Sequence, residues 1–327
     1  MDSPGLPQQT YAPIRRGLLD DAELRQAQRL QPWRAAVHVA LLWLQILLAW
    51  AVVARYPNVW TVLLAVPFIG TRYYALFIIG HDGLHRRLCH SVALNDLWND
   101  LFMLGPIGAV TRLNRHNHIE HHRRAATPAD PDRYKYLRAN RAGGLTFAWS
   151  LTGVLFVWRA VRNVFGQPAA SQPATGGGYR ARDVAILAGW QLALFGGLSA
   201  AIGWWAYFVL WWVPVYGFTF AADITRVFCE HATLGSEADA DRSMRLVSFR
   251  SNWLERQFFA PMGMNHHAVH HLWPSIPFYR LRETQARLAH RPLARGIECR
   301  GSYVAFVLAA WRASLRGASA HSGRVRP

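Results

Sequence analysis

The chain of 327 residues has only three cysteines, Cys89, Cys229 and Cys299, widely spaced and without a CxxC pair. That spacing excludes a disulfide framework and a cysteine-held iron–sulfur or rubredoxin-like centre. Lysine occurs once, at Lys135, so the basic excess is almost entirely arginine. Acidic residues are few, 19 against 36 basic ones, for a formal charge of +17. Such a charge can mark nucleic-acid binding, but no recognition motif accompanies it, and no nucleic-acid partner is expected. Arginine beside apolar runs is better explained by the positive-inside rule and by anionic headgroups. Residues 1–16, MDSPGLPQQTYAPIRR, are polar and contain proline. They lack the apolar core of a secretory signal, so the first apolar run is expected to be an uncleaved span.

What the chain has in abundance is apolar sequence: 52% of residues are hydrophobic, and 15 are tryptophan. These residues gather in runs near the length of about 20 that a bilayer crossing needs. Four spans are expected, at about 35–53, 59–79, 184–202 and 204–222. Arg55–Asn58 and Gly203 make tight turns, so the spans pair as two helical hairpins. The predicted fold is an all-α integral membrane protein with a cytoplasmic helical cap. Residues 1–34 form a cytoplasmic lead-in with a short charged helix around 18–30. Residues 35–290 make the membrane domain, and 291–327 a tail with a short interfacial helix at 304–315. Two further apolar pieces are too short or too interrupted to span with ease. One, 97–110, is broken by Gly105, Pro106 and Gly108; the other, 145–165, carries Arg159 and Arg162 and is expected at the interface. The run QPAASQPATGGG at 167–178 reads as a linker. The Trp204–Trp205 doublet suits an aromatic belt at the membrane boundary.

Histidine carries the chemistry. Eight fall in three clusters: His81 and His85 in HDGLH, His118, His121 and His122 in HIEHH, and His267, His270 and His271 in HAVHH. On a helix, residues three and four apart share a face. HxxxH thus sets two imidazoles one turn apart, and HxxHH sets three on an arc of roughly 100°. A catalytic zinc takes about three ligands from protein, so eight or nine histidines suit two metals. Four spans put all three clusters on one side of the membrane, the cytoplasmic side by arginine content. The isolated His38, His90, His290 and His321 read as ordinary satisfied or surface residues.

Together, HDGLH, HNHIEHHRRAATPADPD, RVFCEH and NHHAVHHLWPSIPFYRL, in this order and topology, resemble the membrane fatty acid desaturase superfamily. The resemblance covers roughly residues 35–290. It implies a non-haem di-iron centre, two iron ions held by the eight clustered histidines and by a ninth, His231 of RVFCEH. It also implies O2-dependent removal of hydrogen from an unactivated C–H bond of a fatty acyl chain or related lipid, leaving a double bond. Hydroxylation or ketolation of a lipid or carotenoid is the alternative within the class. No HPGG-type cytochrome b5 segment or flavin fingerprint is found, so an external donor of ferredoxin, rubredoxin or cytochrome b5 type is expected. Ligand histidines usually donate their second N–H to a carboxylate or carbonyl; Asp82, Glu120, Glu230, Asp130 and Asp132 are candidates, with Arg226 one turn before Glu230 as its ion-pair partner. Asn265 matches a polar residue of the family at this point. His116 and His266 precede the second and third clusters and are read as supporting residues. Two other classes make different demands. A zinc-dependent intramembrane hydrolase would bind one zinc, and a metal transporter would need polar residues at mid-membrane, where only Gln45, Arg72 and Gln191 stand out.

Overall fold

The computed structural model describes residues 11–125, 129–133, 135–136, 144–154, 178–231, 246–291, 294 and 297–322. After one helical turn at Ala12–Arg15, the helix α1 (Asp21–Gln28) starts from a capping box between Asp20 and Glu23. Two long helices follow, α2 (Pro32–Arg55) and α3 (Val59–Leu84), joined at Tyr56–Asn58. Pro32 suits the first turn of α2, where its missing N–H costs nothing. Asn58 caps α3 by accepting from the N–H groups of Trp60 and Thr61. Two further long helices, α7 (Ala181–Ala201) and α8 (Trp205–His231), are separated by Gly203 at φ +141°. All four are long and apolar enough to cross a membrane.

Their surfaces agree with that reading. Leu44, Leu48 and Val52 of α2 are about half exposed (49%, 56% and 50%), while Leu42, Ile46 and Val53 on the adjoining face are buried. A water-soluble helix would put its apolar stripe inward and polar residues outward; here apolar side chains cover both faces, as lipid contact requires.

α3 and α8 pack closely. At Gly70 an added Cβ would lie 2.6 Å from the Phe218 ring, and the Thr219 hydroxyl donates to the Gly70 carbonyl at 3.2 Å. Pro214 sits inside α8, where the stretch Phe208–Thr219 adopts the wider π-type turn. Proline cannot donate the usual backbone bond, and a wider turn accommodates the loss.

Each of the four expected apolar runs falls on a long helix, but two of the helices run on past the expected ends. α3 continues beyond 79 to Leu84, and α8 continues beyond 222 to His231. The ionisable residues that end the apolar runs do not end the helices, because Asp223, Arg226 and Glu230 pair with one another along α8. α3 stops at His85, after which Arg86 takes a left-handed φ of 59°.

Shorter helices join the long ones. α4 (Val92–Asn99) continues through a wider turn at Asp100–Leu104 and a tighter one at Gly105–Ile107. α5 (Thr111–Arg124) begins where the Asp100 carboxylate accepts from Thr111 N at 2.6 Å, an anion at a helix N-terminus. α6 (Gly144–Ser150) ends before a turn with Gly153 at φ +77°, so 145–165 is not one continuous helix. Residues 155–165 and nearly all of the expected linker, 167–177, lie outside the described residues.

The fold is not wholly helical. β1 (Val247–Phe249) pairs in parallel with β2 (Glu298–Arg300), three residues each and too short for alternation to reveal. α9 (Trp253–Phe258), α10 (His267–Leu272) and α11 (Phe278–Leu288) lie between the strands, and α12 (Tyr303–Ser322) follows them. α12 is docked rather than peripheral at its start: Tyr303 is fully buried, with its ring 3.9 Å from that of Phe249.

Candidate metal centre

Four helices deliver imidazoles to one place. His81 and His85 come from the end of α3, His118, His121 and His122 from α5, His231 from the last residue of α8, and His267, His270 and His271 from α10. They form two groups. In the first, one ring nitrogen from each of His81, His85, His118, His122 and His270 lies within 4.8 Å of all the others. The second contains His121, His231 and His271 within the same limit, and His267 joins it through His231, with an Nε2–Nε2 distance of 3.0 Å. The groups adjoin where the rings of His122 and His271 stack at 4.3 Å.

The two HxxHH motifs divide between the groups in opposite senses. In α5, His118 and His122 share one face and join the first group, while His121 turns to the second. In α10, His267 and His271 join the second group and His270 crosses to the first.

Hydrogen bonding between imidazoles does not account for the contacts. His118 Nε2 lies 2.8 Å from that of His85 and 3.0 Å from that of His122; His122 Nε2 also lies 3.1 Å from that of His270. A ring nitrogen has one N–H or one in-plane lone pair, so it cannot satisfy two such neighbours at once. A shared cation can. Nitrogens at right angles about an ion at ~2.1 Å are about 3.0 Å apart, which matches these spacings. His271 has neither ring nitrogen hydrogen-bonded although both are buried. Orphaned nitrogens of this kind fit metal ligands.

The charge state fits as well. Burial, then neighbouring positive charge, pushes the pKa of His85 down to about 3. Burial also drives His118, His122, His267, His270 and His271 well below their ordinary value, with neighbouring histidines adding to the effect. All six are therefore neutral and able to ligate. Burial acts against the charged form of His121 too, but the Asp130 carboxylate outweighs it and raises that pKa.

Of the candidate supporting carboxylates, two touch histidines. Asp130 meets His121 Nδ1 at 2.9 Å and accepts from the Tyr136 hydroxyl at 2.9 Å. Glu230 lies 3.2 Å from His267 Nδ1, without full hydrogen-bond alignment, and is held by Arg226 at 2.8 Å and by the Tyr303 hydroxyl at 2.9 Å. Arg226 also binds Asp223 and the Tyr74 hydroxyl. The others serve differently. Asp82 accepts from Phe278 N at 2.6 Å, tying the end of α3 to the start of α11. Glu120 pairs with Arg123 and Arg124, its i, i+3 and i, i+4 neighbours on α5. Asp132 pairs with Lys135, and its N–H donates to Asp130. The Asn265 amide donates to Phe249 O at 2.9 Å. His116 is exposed, and the half-buried His266 approaches the Asn265 amide at 3.5 Å; neither enters a ligand group.

Sequence reading missed Arg115, Tyr136 and Tyr303. Arg115 grips Asp96 and the carbonyls of Gly83 and Leu84, fixing α5 to the end of α3. Its place one turn before His118 was the available signal. Tyr136 and Tyr303 had none, because each meets its partner only through the fold. An apolar cavity of about 800 Å³ between α2, α4 and α7 is lined by Trp43, Trp50, Trp98, Phe102 and Trp190, with no histidine among its walls. It is separate from the histidine centre.

Comparison with known proteins agrees with this arrangement. The family model described as Fatty acid desaturase matches residues 57–303. A dihydrorhizobitoxine desaturase from Bradyrhizobium elkanii is 26% identical over 251 residues, which is 69% of this chain and 67% of that protein. The matched region contains all nine histidines and extends to Tyr303, and on that extent the chain belongs to the fatty acid desaturase family and is an oxidoreductase.

Proposed function

We propose that the protein is a multi-pass membrane desaturase with two iron ions held by nine histidines, its active side facing the cytoplasm. Its reaction converts a –CH2–CH2– unit of a fatty acyl chain or related lipid to –CH=CH–. O2, two protons and two electrons from a separate donor are consumed, and two waters are released. The observation that carries the reading is the pair of adjoining imidazole groups, five and four strong. Nitrogen ligation of this kind suits iron, zinc, copper and nickel alike; membership of an oxidoreductase family favours the redox-active choice over a zinc hydrolase or a transporter.

Two bound irons would supply O2 activation and hydrogen removal, chemistry that side chains alone do not perform. The chain's own residues hold and shield. Neutral imidazoles ligate, Asp130 orients His121, and Glu230 faces His267. Burial of seven of the nine ligands keeps bulk water from the centre. With each helix pair joined by a short turn, the Leu84 end of α3 and the His231 end of α8 would share one side of a bilayer, and the arginine content supports that side as cytoplasmic.

Lipid profiling of a host expressing the protein, with metal analysis of the purified chain, tests the proposal. About two irons per chain and a new unsaturated lipid that disappears in His118→Ala are expected. Only an oxygenated product would favour the hydroxylase or ketolase reading. One tightly bound zinc without O2 consumption would overturn the di-iron proposal.

A further inference from the structure

Arg72 stands in α3, thirteen residues after Val59 and nine before His81, on a helix that is otherwise apolar along this part. Its guanidinium has only neutral partners. It donates to the amide oxygen of Gln45 on α2 at 3.2 Å, to that of Gln257 on α9, and to the Thr71 hydroxyl at 3.4 Å. Among the described residues no carboxylate pairs with it. Two other arginines close to the long helices do have carboxylates: Arg226 has Asp223 and Glu230, and Arg112 has Asp183.

The two glutamines sharpen the point. Each turns its oxygen to Arg72, so each carries an NH2 group with no acceptor among the described residues. Gln191, the other mid-span amide, is satisfied at both ends by Pro106 O and the Tyr207 hydroxyl. One uncompensated positive charge and two spare amide donors therefore meet at the outer seam of α2, α3 and α9. In an apolar setting such a charge requires a counter-ion. The surroundings are exposed and apolar: Leu41, Leu44 and Leu48 on α2, Phe68 under the guanidinium at 5.4 Å, and Trp253 and Leu254 on α9.

We propose that Arg72, Gln45 and Gln257 bind the oxyanion head of a membrane lipid, with its chains along the exposed apolar face of α2. The shared chemistry is a phosphate or carboxylate oxygen accepting several N–H donors, the match that a planar guanidinium makes best. The site is distinct from the histidine centre. Nine helical residues separate Arg72 from His81, about 13 Å along the axis and about half a turn around it. A lipid held there touches the α2–α3–α9 junction rather than the reacting atoms.

The test uses the full-length, metal-loaded protein in phosphatidylcholine nanodiscs and reads bound lipid by native mass spectrometry. One arm adds phosphatidylglycerol, a second adds oleate, and a third adds uncharged diacylglycerol. Retention of one anionic lipid per chain in the first or second arm, but not in the third, is the expected result, and the arm that binds identifies the source. Arg72→Gln should weaken retention at least 10-fold with the iron content unchanged. Gln257→Leu, which leaves the guanidinium in place, should weaken it several-fold and serves if Arg72→Gln does not fold. Equal retention of charged and uncharged lipids, or unchanged retention in both variants, would overturn the proposal.

Discussion

His231 shows how much can rest on one side chain. It ends α8 and links His267 to His121 and His271, so the second group depends on it while the first does not. In His231→Ala we expect iron to fall from about two per chain to about one and desaturation to be lost, as measured by elemental analysis and product assay. Tyr303 acts one step further out. Tyr303→Phe keeps the ring on Phe249 but removes a donor from the buried Glu230 carboxylate. A loss of about 1–3 kcal/mol is expected for a buried acceptor deprived of a partner, read as a lower thermal midpoint and weaker iron retention. Acid adds a third expectation. Six of the clustered histidines, outside the long helices, have depressed pKa values, His85 down to about 3. Between the unfolded histidine value of about 6.5 and pH 3 the unfolded chain therefore binds more protons, and stability falls as pH falls. His121 and the buried Asp100 carboxyl, both with raised pKa values, oppose this only in part. Melting of chelated protein across that window should show a steep loss of stability; a flat profile would contradict the burial of neutral imidazoles.

At the scale of elements, the close approach of α3 and α8 aligns the centre. A methyl at Gly70 would meet the Phe218 ring at 2.6 Å and also its Cβ at 2.8 Å, so turning the ring does not relieve the clash and the helices themselves must part. Gly70→Ala should cost about 1–3 kcal/mol, as overpacking does, and lower iron in both groups together, unlike His231→Ala. The sequence made much of this scale legible. Apolar runs located α2, α3, α7 and the start of α8, because lipid contact demands apolar residues on every face. Cluster spacing identified the helical faces of α5 and α10. Legibility ended where polar residues are satisfied by distant partners: α8 runs to His231 because Arg226 has Tyr74, Asp223 and Glu230 around it. Three-residue β1 and β2 carry no periodic signal, and Tyr303 looks like any other start of an apolar helix.

For the whole molecule, the proposed topology can be checked through the scarcity of cysteine. Cys299 on β2 is exposed and Cys229 is buried, so a membrane-impermeant thiol reagent has few targets. Cys299 should label in inside-out vesicles and stay protected in right-side-out ones; the reverse pattern would refute a cytoplasmic centre. Composition and spacing by themselves determined that this protein has four long apolar helices and enough clustered imidazole for two metals, since hydropathy and helical period are local properties. Only the tertiary structure decided that each HxxHH splits between two groups, that Asp130 and Glu230 rather than Glu120 face the clustered histidines, and that Arg72 has no carboxylate partner among the described residues. The physical reason is that these depend on how the helices are rotated and how closely they pack, which distant contacts such as Gly70 against Phe218 set and no local pattern encodes.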